Sequence, residues 1–376
     1  MIYYIGYFDF QDSGVQRKYV VSATNKMEYI AKAINSIGYD IEIVSLSLSN
    51  KSGFKYHKGE TKSKNGINAH FFPTFDAPIY WKWLKNCWRF FCLLFWGYKH
   101  LSSDDIVISY HTTSNTSPLL SFLRKKKGFR LVLEVEEVYS DVAKVKKHIV
   151  KREYDAFNHC DGFIFSTEML GAKLNNQQLP NVVIYGTYNV EKVIARPDND
   201  YIHVVYAGTF DKRKGGAAAA AAVEYLPSNY MIHICGFGKP GEVEEIKSIV
   251  KALQDNGHNI QYEGLLKGTD YIKLLQRCSI GLSTQDPAAQ FNNTSFPSKI
   301  LSYMSNGLSV VSIRIEAVVN SKIGDYIEYY EEQTPEQIAA CILSVGTKSD
   351  NDNRAVISTL DSSFKDDVKY LINKLS

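Results

Sequence analysis

The chain has no apolar run long enough to cross a bilayer. Its most hydrophobic stretch, Phe90 to Tyr98, falls far short of the roughly 20 residues a spanning helix needs. The N-terminus, MIYYIGYFDF, begins directly as a strand, with no basic flank or small-residue cleavage site, so no signal peptide is expected. Cysteine is sparse and scattered. Cys87, Cys92, Cys160, Cys235, Cys278 and Cys341 show no C-x-x-C spacing, which argues against structural zinc and suits a reducing, cytosolic setting. Neither sign of charge dominates, with 43 Lys and Arg against 40 Asp and Glu. The densest basic run, Arg124-Lys125-Lys126-Lys127, reads as a solvated helix end, and no nucleic-acid partner is implied. Asp-x-Asp pairs that could share a hard cation are equally scarce. Asp198-Asn199-Asp200 and Asp350-Asn351-Asp352 both lie in polar loop sequence, so no metal is expected.

What is present is a core-forming composition. At 376 residues and 45% hydrophobic, the chain is long enough for two domains with a core each. In the first half, apolar strands at Ile2–Tyr7, Ile41–Leu46, Ile106–Tyr110, Leu131–Val135 and Gly162–Ser166 alternate with helices near Thr24–Ile37 and Val142–Phe157. These runs lack period-two alternation, the mark of parallel strands covered on both faces. A polar, Pro-containing break at residues 195–201 separates a second such half. Its strands are expected at Val204–Ala207, Met231–Cys235, Ile260–Tyr262, Ile280–Ser283 and Ser309–Ile313. Its helices are expected at Ala217–Tyr225, Glu242–Gln254, Thr269–Gln276 and Lys299–Asn306, with a final helix at Phe364–Leu375. The fold class is therefore α/β, two Rossmann-like domains facing across a cleft. The expected domains are residues 1–195 and 202–360, with 361–376 crossing back to the first.

The segment from Asn292 to Ser312, NNTSFPSKILSYMSNGLSVVS, combines a polar loop, a helix start at Phe296-Pro297-Ser298-Lys299, a Gly stop and an apolar strand. Unpaired N–H groups at such a start, with a Lys on the first turn, make an anion site. Upstream, VVYAGTFDKRKGG places Gly208 and Thr209 at a strand end, then the cations Lys212, Arg213 and Lys214 before Gly215 and Gly216. Glycines that let backbone approach a ligand, beside cations that neutralise it, suit a diphosphate. Gly236-Phe237-Gly238-Lys239-Pro240-Gly241, with Glu263 some twenty residues on, is a formal dinucleotide fingerprint. It occupies the second βα turn of its half rather than the first, which favours a tight turn lining a nucleotide site over a nicotinamide enzyme.

The ordered set AGTFDKRKGG, CGFG, YEGLL and FPSKILSYMSNGLSVV resembles the C-terminal half of GT-B glycosyltransferases of the family-four type. The segments SATNKMEYIAKAINSIGYDIEIVSLS and VVIYGTYN are similar to bacterial members that build surface polysaccharides. The resemblance implies a transferase moving a sugar from a nucleotide-diphosphate donor, with UDP the usual nucleotide, to a sugar hydroxyl of an O-antigen or capsule precursor. It implies that Arg213, Lys214 and the Phe296–Lys299 turn bind the diphosphate, without metal. The family's E-x7-E pair falls at Thr294 and Ser302, neither acidic, so the usual ribose contact is in doubt and the phosphate role shifts to Lys299. A non-catalytic nucleotide-sugar-binding subunit and another GT-B enzyme such as an epimerase stay open.

Acceptor contacts and a base are expected from strand ends of the first half. His111 follows DIVISY, and Glu134, Glu136 and Glu137 surround the end of LVLEVEE. Thr24-Asn25-Lys26, expected to open a helix, is the other candidate wall of the cleft. The segment from Trp81 to Trp96 holds every Trp of the chain, mixed with cations. It reads either as a helix packed on the sheet or on a neighbouring subunit, or as a membrane-surface helix suited to a lipid-linked acceptor, which would place the protein on the inner face of the cytoplasmic membrane.

Overall fold

The computed structural model describes residues 1–10, 14–111, 116–142, 145–195, 201–287, 294–345 and 352–376. The chain divides into two compact units, one formed by Met1–Thr187 with Ser363–Ser376 and the other by Tyr188–Ser362.

The first unit is built on an eight-stranded sheet. Its strands are β1 (Ile2–Gly6), β2 (Ile41–Ser45), β4 (Glu60–Lys64), β5 (Ile67–Phe71), β7 (Ile106–Tyr110), β8 (Arg130–Val135), β9 (Gly162–Phe165) and β10 (Asn181–Val183). Their order is β10-β9-β8-β7-β1-β2-β5-β4, parallel throughout except for β4. β9 is buried at every position and β7 at all but its last, which explains why neither alternates. A small antiparallel pair, β3 (Tyr56–His57) with β6 (Thr74–Phe75), lies outside this sheet.

The β4–β5 hairpin was not foreseen. Its turn is Asn65-Gly66, both at positive φ (54° and 78°), the conformation that Asn-Gly adopts most readily between antiparallel strands. β4 is a polar edge strand, and Lys62 and Lys64 on it discourage further pairing.

Other boundaries moved as well. The first helix starts at Val21, so Thr24-Asn25-Lys26 lies inside it rather than opening it, because extended Val20 already caps it. The helix expected at Val142–Phe157 is two pieces, Tyr139–Val142 and Lys147–Phe157.

The second unit carries a six-stranded parallel sheet. Its strands are β11 (Ile202–Thr209), β12 (Tyr230–Phe237), β13 (Ile260–Gly264), β14 (Ile280–Ser283), β15 (Ser309–Ile313) and β16 (Ile327–Tyr330), ordered β13-β12-β11-β14-β15-β16. β16 and the helix Pro335–Val345 were not expected from sequence. Residues 196–200 of the anticipated linker lie outside the described residues. The segment before them is bound into the second unit. Glu191 N–H donates to the Ser305 carbonyl, and Gln276 accepts from Ile194 and Ala195 while donating to the Lys192 carbonyl. The boundary therefore falls near Tyr188. The last helix is Asn353–Leu375, longer than expected. Its final turns join the first unit, where Phe364 meets Tyr29 and the Tyr39 hydroxyl donates to Asn373.

Candidate functional site

β11 and β12 run in register, so Gly208 lies beside Gly236 at their C-terminal ends. A Cβ on Gly236 would stand 1.8 Å from the Gly208 carbonyl oxygen, so residue 236 must be glycine for these strands to approach. Beyond the pair opens a cavity of about 490 Å³ lined by Gly208, Thr209, Lys214, Gly236, Phe296, Pro297, Ser298, Lys299 and Ser302. Sequence reasoning had singled out all nine. It had not found the other lining residues Ala207, Cys235, Phe237, Leu265, Leu266, Tyr271 and Gln285. Among the described residues its lining has two lysines and no carboxylate.

The short helix Lys299–Ser305 is clamped to the sheet from beneath. Tyr303, fully buried, accepts a hydrogen bond from Ala207 N–H at 2.8 Å and donates to the Leu282 carbonyl. Its ring fills the space above Gly281, where a Cβ would come within 2.3 Å of it. One turn earlier on the same helix face, Lys299 is thereby fixed. Its Nζ is buried and has no hydrogen-bond partner among the described residues, and it sits 4.2 Å from the centre of the Tyr206 ring. Burial, with Lys214 nearby, lowers the Lys299 ammonium to about 7. A buried ammonium without a partner, in a cavity whose described lining carries no acid, favours a ligand that brings negative charge.

Lys214 lines the same cavity, and burial with Arg213 alongside lowers its ammonium too. Its carbonyl accepts from Thr284 Oγ1 at 2.8 Å, which holds the turn against the sheet. Gly215 supplies the left-handed residue (φ 69°) that ends the Lys212–Lys214 turn and begins the next helix.

Three expected donor residues lie elsewhere. Arg213 is exposed and forked onto Asp211 through Nε at 3.0 Å and Nη2 at 2.7 Å, outside the lining. Adjacent charges in one turn satisfied each other before reaching a ligand. Glu263 is not in the lining; its carboxylate meets His233 Nδ1 at 2.7 Å, and His233 Nε2 meets His203 Nδ1 at 2.8 Å. The dinucleotide reading thus lacks its ribose acid. Gly238 faces Glu242 and Phe210 instead of the cavity. At the positions where acids were missing, Thr294 is buried, and Ser302 Oγ lies 3.3 Å from the Tyr271 hydroxyl.

In the first unit, the C-terminal ends of β1, β7 and β8 gather a charged cluster. Lys26 Nζ meets Glu136, lies 3.7 Å from Glu134 and donates to the Ile184 carbonyl at 3.0 Å. Tyr4 donates its hydroxyl to Glu134, which is fully buried. Burial pushes the Glu134 carboxyl up to about 8. Burial acts on Glu136 in the same direction, but the Lys26 ammonium outweighs it and holds that carboxyl low. His111 sits in the left-handed region (φ 51°) with its ring against Tyr139, and burial lowers its imidazole to about 4. Neither ring nitrogen has a partner among the described residues. Of the expected cleft wall, Thr24 and Lys26 are buried and Asn25 is exposed. Lys26 is engaged by Glu134 and Glu136. Among the described residues no group of three or more His, Cys, Asp or Glu is placed to hold a metal ion. Of the two Asp-x-Asp segments, 198–200 and 350–351 lie outside the described residues.

No protein-family model matches the chain, and no curated protein matches it in sequence. Solved structures do match it over its full length. A sucrose-phosphate synthase from Thermosynechococcus elongatus is 12% identical, with 100% of this chain and 98% of that one covered and a TM-score of 0.69. The lipopolysaccharide outer core galactosyltransferase WaaB is 14% identical, with 99% of each chain covered and a TM-score of 0.64. Anabaena HepE in complex with UDP is 12% identical, covering 99% of this chain and 97% of that one at a TM-score of 0.64. The fold is GT-B.

Proposed function

We propose that the chain is a glycosyltransferase that moves a sugar from a UDP-sugar to a sugar hydroxyl of a surface-polysaccharide precursor, such as O-antigen or capsule, without metal. The observation that carries this reading is Lys299, a buried ammonium with no partner among the described residues in an acid-free cavity shared with Lys214. A diphosphate supplies the missing charge. The apolar lip of Phe237 and Leu265, both more than half exposed, takes the planar base. That HepE was solved with UDP on the same fold supports the choice of nucleotide.

In the reaction the bond from the sugar's anomeric carbon to the diphosphate oxygen breaks, and the diphosphate leaves with the electron pair. Lys299 and Lys214 stabilise that developing charge. The acceptor oxygen bonds to the anomeric carbon and gives up its proton. We assign the proton to Glu136, which Lys26 keeps ionised, and acceptor orientation to neutral His111. The acceptor is a glycan on a lipid carrier, reached by the protein as a peripheral one at the inner face of the cytoplasmic membrane. A binding subunit without turnover is the second reading, favoured by Thr294 and Ser302 where family members carry acids.

Thermal unfolding with nucleotides tests the reading. UDP at about 100 times its Kd adds about 2.7 kcal/mol to the stability of the wild type, a rise in Tm of roughly 5 °C or more. Lys299→Ala should lose most of that rise. Stabilisation by NAD alone, or by no diphosphate nucleotide, sinks the proposal. Turnover of UDP-sugar with a glycan acceptor separates the transferase from the binding subunit.

A further inference from the structure

The helix Lys82–His100 is turned inside out with respect to its charges. Lys85 and Arg89 point inward. Lys85 Nζ donates to the Ser49 carbonyl at 3.1 Å, and the Arg89 guanidinium lies 5.4 Å from the centre of the Tyr7 ring. Leu93 and Trp96 complete the packed face. The opposite face, spaced at three and four residues, presents Trp88, Phe91, Phe95 and Tyr98, with Leu94 half-buried at its edge against the core. Phe91 is 63% exposed and Phe95 74%. An apolar groove of about 650 Å³ runs along Phe91, Leu94, Phe95, Tyr98 and Lys99. At the head of the helix Ile79, Tyr80 and Trp83 are also more than half exposed. Ordinary solvated helices do not carry such a stripe.

The neighbouring helix, Ser117–Lys127, sets the charge beside it. Gly97 lets the two helices touch, since a Cβ there would come within 2.7 Å of Leu123 Cδ1. Lys127 Nζ donates to the Tyr98 carbonyl at 2.9 Å, so the basic end Lys125-Lys126-Lys127 stands at the edge of the aromatic stripe. Neither helix contains a single Asp or Glu. Among the described residues no helix is long and apolar enough to cross a membrane.

We propose that this face is the docking surface for a bilayer leaflet rich in anionic lipid, with Phe91, Leu94 and Phe95 entering the interface and Lys99 and Lys125–Lys127 meeting headgroup phosphates. Aromatics flanked by lysines and free of acids match that boundary in both polarity and sign. A second copy of the chain matches it poorly. Both ends of the stripe carry cations, Lys82 at one and Lys99 at the other, so a two-fold pairing sets like charges together. The inference rests on the membrane placement in the reading above, not on the transfer chemistry.

All four tryptophans lie between Trp81 and Trp96; Trp96 is buried in the core, so a change in Trp fluorescence on adding lipid reports the exposed Trp81, Trp83 and Trp88. On adding phosphatidylcholine vesicles that contain phosphatidylglycerol, the full chain should show a blue shift and co-sediment, and high salt should weaken both. The double variant Phe91→Ser/Phe95→Ser should no longer co-sediment. Replacing Lys125, Lys126 and Lys127 by Gln should lower partitioning on the order of 100-fold. The proposal is overturned if anionic vesicles take up no protein, or if neither variant changes uptake. It is also overturned if light scattering shows a dimer that the Phe91/Phe95 variant dissolves. Stabilisation by UDP, measured without lipid, reports the donor site independently of all these outcomes.

Discussion

A Cβ on residue 208 would stand 2.8 Å from Lys299 Nζ, so Gly208 leaves open the space in which the buried ammonium ends. The two residues are ninety-one positions apart in the chain and belong to a strand end and a helix start. Gly208→Ala meets side-chain tips, Lys299 Nζ and, at 3.3 Å, the Tyr206 hydroxyl, so its stability cost should be about 1 kcal/mol. The displaced ammonium should weaken UDP binding about tenfold, as read by calorimetric titration. Gly236→Ala meets backbone at 1.8 Å instead and should cost several kcal/mol, on the order of 3 or more, in denaturant unfolding. Equal stability loss in the two variants would contradict this account.

Lys299 links donor binding to pH. An unfolded lysine titrates near 10.4, whereas the folded one titrates at about 7. Between those values the unfolded chain retains a proton that the folded chain has released. Stability therefore rises with pH across this window, and the cost of the charged buried group is fully present below it. Lys299→Met should flatten the rise in Tm between about pH 7 and pH 9. A bound diphosphate favours the ammonium, so UDP binding near pH 8 should take up protons in the wild type and fewer in Lys299→Met, where only Lys214 of the two lysines remains. Titration calorimetry in two buffers of different ionisation enthalpy measures this directly.

His111 has the same sign at lower pH. Its imidazole titrates at about 4 when folded and near 6.5 when unfolded, so stability is lost as pH falls from about 6.5 towards 4. Asn tolerates the left-handed backbone at this position. His111→Asn should weaken the pH dependence of unfolding in that window. A variant curve parallel to the wild type would show that His111 is not held neutral by burial.

Glu263 offers a test of what the cavity excludes. It faces His233 and lies outside the lining. Glu263→Ala should destabilise the protein by about 1–3 kcal/mol by leaving His233 without its acceptor, with the Kd for UDP unchanged. A tenfold loss of UDP affinity without a stability cost would return Glu263 to the donor site.

Lys26 pairs with half-buried Glu136 and lies beside fully buried Glu134. Lys26→Met should cost about 3–5 kcal/mol in denaturant unfolding, because the uncompensated charge stays behind. The double variant Lys26→Met/Glu136→Gln should recover part of that loss. Additive losses in the pair would mean that the contact carries no coupling.

Much of this protein is determined by the sequence alone. Runs such as IVISY and SVVSI are apolar on successive residues, which requires strands covered on both faces, and hence parallel sheets in two α/β units. The AGT turn and the FPSK start were singled out in the sequence as candidate anion-binding elements, and the structure brings them to one cavity. The Asn65-Gly66 hairpin went unread, because the polar strand Glu60–Lys64 hid the alternation that would have marked it. Tertiary structure decided which candidates meet. Nothing local distinguishes Arg213 from Lys214, yet one is forked onto Asp211 and the other lines the cavity. Glu263 has the spacing of a ribose acid, but the side-by-side pairing of β12 and β13 places it on His233. The segment from Trp81 to Trp96 reads slightly better as a packed helix than as a surface one, and only the tertiary structure shows that its cations Lys85 and Arg89 turn inward while Phe91 and Phe95 stay exposed. Sequence periodicity reports that a side chain will be buried; which group it is buried against depends on strand order and register, which are properties of the assembled sheet.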